Sequence, residues 1–238
     1  MTRVLVVQNS KGSGPRRLGR WLAEARVAAD VVPAWEGMPK SVDGYDGVVL
    51  LGGGYLPDDD AEHPWLPRER ALTAEALDRE VPLLGICLGE QLLAHVAGGE
   101  VTARSGETER GMCALEVLPA AAGDPVFGQF AVVPGPLWML ENHEDSVTAL
   151  SPGATLLVTS PECRVQAFRV GRAAWGVQFH PEASPDAILR WDEAALADQG
   201  LDRAALAAAA KEHTEENESR SRALVLAWTR LLRTVERG

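Results

Sequence analysis

The sequence predicts an α/β fold: an open, mostly parallel sheet flanked by helices, with a β-rich edge and further helices at the C-terminal end. Three observations carry this. Short Val- and Leu-rich runs alternate with amphipathic stretches as far as Gly98, the rhythm of a parallel sheet covered on both faces. Glycines and polar loops close those runs. After Gly98 the texture changes to strand-like segments separated by turns, and after Ser184-Pro185 to helical ones.

In chain order, residues 3–8 read as a buried strand ended by the polar loop 9–15. Leu18, Trp21, Leu22 and Ala25 recur at i, i+3, i+4 and i+7, one face of an amphipathic helix. Residues 27–32 give a second strand. Residues 48–51 give a third, entered from Gly47 and closed by Gly52-Gly53-Gly54. Trp65, Leu72 and Ala76 mark a helix that tolerates Pro67 in its first turn. A strand over 82–86 leads into helical spacing over 88–96.

The β-rich part is expected as consecutive strands over 112–118, 154–160, 165–170 and 174–179. In the last of these Trp175, Val177 and Phe179 alternate with Ala174, Gly176 and Gln178. Ser184-Pro185 predicts a helix start, a hydroxyl N-cap followed by proline at the first helical position. Three helical segments then follow. Residues 202–211 are alanine-dominated, and Leu224, Ala227, Trp228, Leu231 and Val235 form a stripe expected to pack on the domain's own core, with docking of a partner as the alternative for Leu224, Trp228 and Leu231. The chain has no internal repeat.

Composition narrows the function classes. The 238 residues carry 23 Lys+Arg against 34 Asp+Glu, a net charge of −11. Phosphate backbones would be repelled, so no nucleic-acid partner is expected. No apolar run reaches the length of about 18 residues that a membrane span needs, and the start reads as a strand and not as a signal peptide. Cys87, Cys113 and Cys163 are too few and too scattered for a disulfide scaffold. The expectation is a soluble, cytoplasmic protein with free thiols and no membrane contact.

Gly85-Ile-Cys-Leu-Gly-Glu-Gln91 stands between a predicted strand and a predicted helix. A nucleophile on such a sharp turn needs small neighbours two residues before and after it. The turn would set Cys87 at a helix N-terminus, where partial positive charge favours thiolate, and would aim the Leu88 N–H at an oxyanion. Glycines on both sides favour a nucleophile over a merely buried cysteine. Gly176-Val-Gln-Phe-His-Pro-Glu182 supplies the complement. His180 leaves a strand end and Pro181 holds it extended, so His180 and Glu182 can lean to one side as a base and its orienting carboxylate. The consecutive glycines 52–54 would let main-chain N–H groups approach a ligand. Asp58-Asp59-Asp60 reads as a solvated acidic loop. A zinc site of Cys87, His143, Asp145 and His180 fits no short-range spacing, so no metal and no cofactor is expected.

Together the elbow, the His-Pro-Glu ending and the glycine loop resemble the motifs of class I (triad) glutamine amidotransferases. The chain is similar to the glutaminase domain of GMP synthase, as a free-standing member. The resemblance implies a flavodoxin-like fold and an amidotransferase domain over 1–187; the helical extension over 188–238 lies outside the family's core pattern and is expected to pack on the same domain. The resemblance implies Cys87 as nucleophile, His180 as general base and acid, and Glu182 as its partner. It further implies oxyanion donors at Gly53 and Leu88, and a glutamine pocket with Gly52, Gln91, His143 and Asp145. The implied reaction is hydrolysis of glutamine to glutamate and ammonia through a γ-glutamyl thioester. The chain has no phosphate-loop motif, so an ammonia acceptor, if there is one, is expected on another polypeptide, a separate synthetase subunit. The rivals are a γ-glutamyl amide or peptide hydrolase with the same triad, and a non-catalytic glutamine-sensing module. Three positions depart from the family pattern. Gly54-Tyr55 replaces the usual proline of the glycine loop, Glu144 replaces a common glycine, and Glu90 replaces a common histidine or methionine. A charge at Glu90 would oppose thiolate formation unless it points to solvent.

Overall fold

The computed structural model describes residues 1–232. The first half runs β1 (Arg3–Gln8), α1 (Arg16–Glu24), β2 (Ala28–Pro33), β3 (Gly47–Leu50), α2 (Leu66–Asp78), β4 (Leu83–Ile86) and α3 (Leu88–Val96). Then come β5 (Glu100–Thr102), β6 (Glu109–Val117), α4 (Gly128–Ala131), β7 (Leu137–His143), β8 (Ser146–Ala149), β9 (Ala154–Thr159), β10 (Ala167–Val170) and β11 (Ala174–Val177). Helices α5 (Glu193–Asp198), α6 (Arg203–Lys211) and α7 (Thr214–Thr229) close the described chain.

Nine strands form one sheet in the order β2-β1-β3-β4-β11-β10-β9-β6-β7, with β5 and β8 as a separate ribbon. The pairs from β2 to β11 are parallel, and those from β11 to β7 antiparallel. The predicted mixture of a parallel sheet and a β-rich edge is therefore one continuous sheet.

The central strands read as unbroken apolar runs because both of their faces are covered. In β1, Val4 and Val6 join the core that holds Leu18 and Trp21 of α1 and Leu224 and Trp228 of α7. Leu5 and Val7 point the other way, into the core with Leu72 of α2 and Leu88 and Leu92 of α3. The same alternation sorts Trp175 and Val177 of β11 from Ala174, with every residue of the strand buried. Full burial of one such side chain is worth roughly 1.5–3 kcal/mol. The C-terminal stripe thus contributes Leu224 and Trp228 to the main core, and Leu231, just past the end of α7, packs against it. Val235 lies outside the described residues.

Two expectations need correction. The β-rich strands are not consecutive, because β7 and β8 intervene between β6 and β9. Strand β7 was hidden by Glu141 and His143, two buried polar residues that spoil an apolar signature. Pro185–Arg190 forms a 3₁₀ helix, and the Ser184 hydroxyl makes no capping bond. The side chains of Asp192 and Asp202 cap α5 and α6 instead. Glu90, whose orientation the sequence leaves open, is fully buried.

Candidate active site

The parallel strands β1, β3, β4 and β11 deliver their carboxyl ends to one edge, where open α/β sheets place ligands. Register fixes the neighbours: Gly85 of β4 stands between Leu50 of β3 and Gly176 of β11. Chain immediately beyond these positions holds Gly52, Cys87 and His180.

Cys87 occupies a left-handed conformation with φ +54°, uncommon for a residue with a side chain. It joins β4 directly to α3, and its N–H donates to the Val177 carbonyl at 2.8 Å. Both flanking glycines are required by close backbone approach. A Cβ at Gly85 would lie 2.3 Å from the Gly89 carbonyl oxygen, and one at Gly89 would lie 2.2 Å from that of Leu50. The turn is thus sealed on both sides, and the sulfur is free, in a residue 7% exposed. As the first residue of α3, Leu88 has a backbone N–H without a partner inside the helix.

His180 is held by its N–H, which donates to the Leu140 carbonyl at 2.8 Å. Its Nδ1 meets Glu182 Oε1 at 2.8 Å. A Cβ at Gly52 would lie 3.1 Å from His180 Cε1 and 3.9 Å from Cys87 Sγ, so thiol, imidazole and glycine loop converge on one point. Burial works against a charged ring, but Glu182 and Cys87 outweigh it and hold His180 well above the ordinary histidine value. Burial likewise opposes the Glu182 carboxylate, and His180 overcomes it, so that carboxyl sits below its usual range. Both directions favour an imidazolium beside a carboxylate. Gly53 packs between Leu88 and Tyr55, which leaves Gly52 as the glycine facing the sulfur and the ring.

A cleft of about 290 Å³ opens beside Cys87 and is lined by Gly53, Gln91, Arg110, Asn142, Glu144 and Asp145, among others. Gln91 Nε2 donates to the Asp145 carbonyl at 3.1 Å and to Gln178 Oε1 at 3.2 Å, so its amide nitrogen is spent on the wall. Asp145 Oδ1 accepts the Arg104 N–H at 2.8 Å. His143 is buried; its Nδ1–H donates to the Asp145 carbonyl at 3.2 Å, and Nε2 faces Glu109 at 3.4 Å. Its ring therefore braces the pocket from behind.

Behind that wall lies a chamber of buried polar groups that the sequence did not announce. Glu109 accepts from Ser160 at 2.9 Å and from Gln166, while both oxygens of Glu141 lack hydrogen bonds among the described residues. Burial, then Glu109, pushes Glu141 well above the carboxylate range. Glu90 is likewise pushed far up, by burial and then by Cys87. That direction favours the protonated, uncharged carboxyl, the form that does not oppose a thiolate at Cys87. Glu109, His143 and Cys163 hold donor atoms within 4.8 Å of one another and are the one group with metal-ligand spacing among the described residues. The four residues weighed for zinc from sequence do not form such a group. Burial pushes the Cys163 thiol up, and it donates to the Val165 carbonyl at 3.6 Å. Asp60 of the acidic loop is paired with Arg70 at 2.7 Å.

Sequence reasoning also missed Arg110, Asn142, Glu141 and Glu109. Only strand pairing brings these together: Glu109 lies opposite His143, and Arg110 opposite Asn142.

A family model described as glutamine amidotransferase class-I matches residues 6–189. The chain belongs to the class-I glutamine amidotransferase family. Among curated proteins, this amidotransferase is 32% identical over 183 residues to the A subunit of the glutamine-hydrolyzing GMP synthase of Thermoplasma acidophilum, covering 76% of this chain and 84% of that one. It is 31% identical over 150 residues to γ-glutamyl peptidase 5 of Arabidopsis thaliana, covering 63% of this chain and 58% of the peptidase. A solved glutamine amidotransferase of Thermotoga maritima superposes with a TM-score of 0.83 at 27% identity, over 98% of this chain and 99% of that one. A second, from Methylobacillus flagellatus, shares the fold with a TM-score of 0.84 at 23% identity, over 98% and 96% of the two chains. No helix among the described residues is long and apolar enough to cross a membrane.

Proposed function

We propose that this amidotransferase hydrolyses the side-chain amide of glutamine to glutamate and ammonia, with Cys87, His180 and Glu182 as its triad. The observation that carries the reading is the strained Cys87 turn facing the His180–Glu182 ion pair across Gly52. Cys87 sulfur attacks the amide carbon, and the N–H groups of Leu88 and Gly53 take the oxyanion. His180 gives its proton to the departing nitrogen. Water then opens the γ-glutamyl thioester and restores the thiol. Gly52 leaves room for the scissile group. Gln91, His143 and Asp145 form the wall that receives the glutamyl end, His143 through its hold on the Asp145 carbonyl.

Kinship with one subunit of a glutamine-hydrolyzing GMP synthase supports delivery of the ammonia to a separate synthetase subunit. Kinship with a γ-glutamyl peptidase supports a second reading, in which the same triad cleaves other γ-glutamyl amides.

The test is glutamate and ammonia release from glutamine by the purified chain, alone and with candidate ATP-using subunits recovered by pull-down. Turnover abolished in Cys87→Ala supports the assignment. Unchanged turnover in that variant, or none from the wild type with any γ-glutamyl amide, sinks it.

A further inference from the structure

Two clefts meet at Cys87, and a glutamyl group needs only one. The first contains Gln91, Arg110 and Asp145 but not His180. The second, about 280 Å³, contains His180 and Glu182 and reaches Ser10, Ser13, Arg16 and Trp191. A general acid must stand within hydrogen-bond reach of the nitrogen it protonates. His180 is that acid, so the amine departs into the second cleft. Ammonia is close in size to water, whose share of liquid volume is about 30 Å³. The cleft is far larger than such a leaving group requires.

Its rim is built, and it is cationic. The turn after β1 is closed by the Ser10 N–H donating to Ser13 Oγ at 3.0 Å, and by Ser13 Oγ donating to the Ser10 carbonyl at 3.2 Å. Arg16 follows with φ +43°, and its Nη2 donates to the Gly12 carbonyl at 2.5 Å. Its guanidinium forms no ion pair among the described residues, and it lines the same cleft as Glu182. Guanidinium donors beside hydroxyls suit a carboxylate. Trp191 supplies an apolar wall on the same cleft.

We infer that this cleft is a leaving-group subsite for γ-glutamyl amides whose amine carries a carboxylate, that is, γ-glutamyl amino acids, with Arg16 as the carboxylate's partner. The inference rests on the amidohydrolase reading above. The Cys87 S–C bond forms as the amide C–N bond breaks, and the His180 proton goes to the nitrogen, so a free amino acid leaves. Water then adds to the thioester carbon, the S–C bond breaks, and its proton returns to the sulfur by way of His180. The products are glutamate and the free enzyme.

Glutamate release is measured with glutamine, γ-glutamylglycine and γ-glutamylmethylamide, the last lacking the second carboxylate. γ-Glutamylglycine is expected to exceed the methylamide by about tenfold or more in kcat/KM, the size of one charge-assisted hydrogen bond. Arg16→Met should bring that ratio close to one, and Arg16→Gln should leave it between. A wild-type ratio near one, or a ratio unmoved by both variants, overturns the subsite. Turnover of glutamine with refusal of both larger amides also overturns it, while leaving the amidohydrolase reading intact. If none of the three compounds is cleaved, both readings fall together.

Discussion

Arg17 and Asn217, 200 positions apart, are joined by a 2.6 Å hydrogen bond, and the same guanidinium donates through Nε to the Pro181 carbonyl at 2.8 Å. One buried side chain of α1 thus ties α7 to the segment that carries His180 and Glu182. Burial lowers Arg17 to about 10, against the pull of Glu182. Asn217→Ala removes this acceptor and also the donor to the Trp138 carbonyl. A stability loss of about 1–3 kcal/mol is expected in urea denaturation. A fall in kcat under native conditions should accompany it, because the His-Pro-Glu segment loses a brace.

The Gly89 position admits no side chain. A Cβ there would stand 2.2 Å from the Leu50 carbonyl oxygen, so Gly89→Ala must push α3 away from β3 or bend the Cys87 turn. Overpacking of this kind costs about 1–3 kcal/mol, and more where backbone must give. Thermal melting should drop, and alkylation of Cys87 by iodoacetamide should slow, even at temperatures where the variant stays folded.

The sequence made the local half of this site legible and hid the non-local half. Gly85, Cys87 and Gly89 act through the geometry of one turn, and His180, Pro181 and Glu182 through two residues of extended chain, so spacing alone reveals them. Central strands were readable for a related reason: Val4 to Val7 are apolar on both faces, and no register is needed to see it. Glu109, Glu141 and Arg110 gain meaning only when β6 meets β7. A glutamate in a strand ordinarily signals a solvated face, and here Glu141 is fully buried. Arg17 is similar, a basic residue on a helix whose partners are supplied by distant chain.

Glu90 gives a sign that can be measured. Its folded value lies far above the ordinary 4.5, so the folded state holds a proton that the unfolded chain releases. Stability from this group is therefore present at low pH and declines as pH rises beyond 4.5. Glu90→Gln keeps the shape and removes the titration. The variant should melt above the wild type near pH 8, with the gap closing toward pH 5. A gap that is constant with pH would show that Glu90 does not titrate there.

Glu182 and His180 set the opposite window. Glu182 falls below its ordinary 4.5, so its contribution exists above that pH and is lost as pH falls through the folded value. His180 rises above 6.5, so its contribution exists below that pH and fades as pH climbs through its folded value. Both count fully between the two. In Glu182→Gln, burial still opposes the charged ring and the carboxylate no longer supports it. The alkaline limb of the kcat/KM profile should move toward acid, and kcat should fall by about 10²–10⁴, the scale of losing an orienting carboxylate.

Arg110 is the cation lining the cleft on the Gln91 side, and Glu144 Oε1 accepts from its Nη2 at 2.6 Å. Burial lowers the Arg110 guanidinium below its ordinary value, and the Glu144 carboxylate opposes that shift. A glutamyl group entering this cleft carries an α-carboxylate and an α-ammonium, and the lining offers Arg110 to one and Glu144 or Asp145 to the other. A hydrogen bond to a charged group is worth about 1.5–3 kcal/mol, so Arg110→Met should raise KM for glutamine by roughly ten- to a hundredfold. Because the α-carboxylate lies several bonds from the scissile carbon, kcat should change much less than KM. Arg110→Lys should recover part of the affinity. A loss confined to kcat would place Arg110 beside the reacting sulfur instead, as a stabiliser of the thiolate.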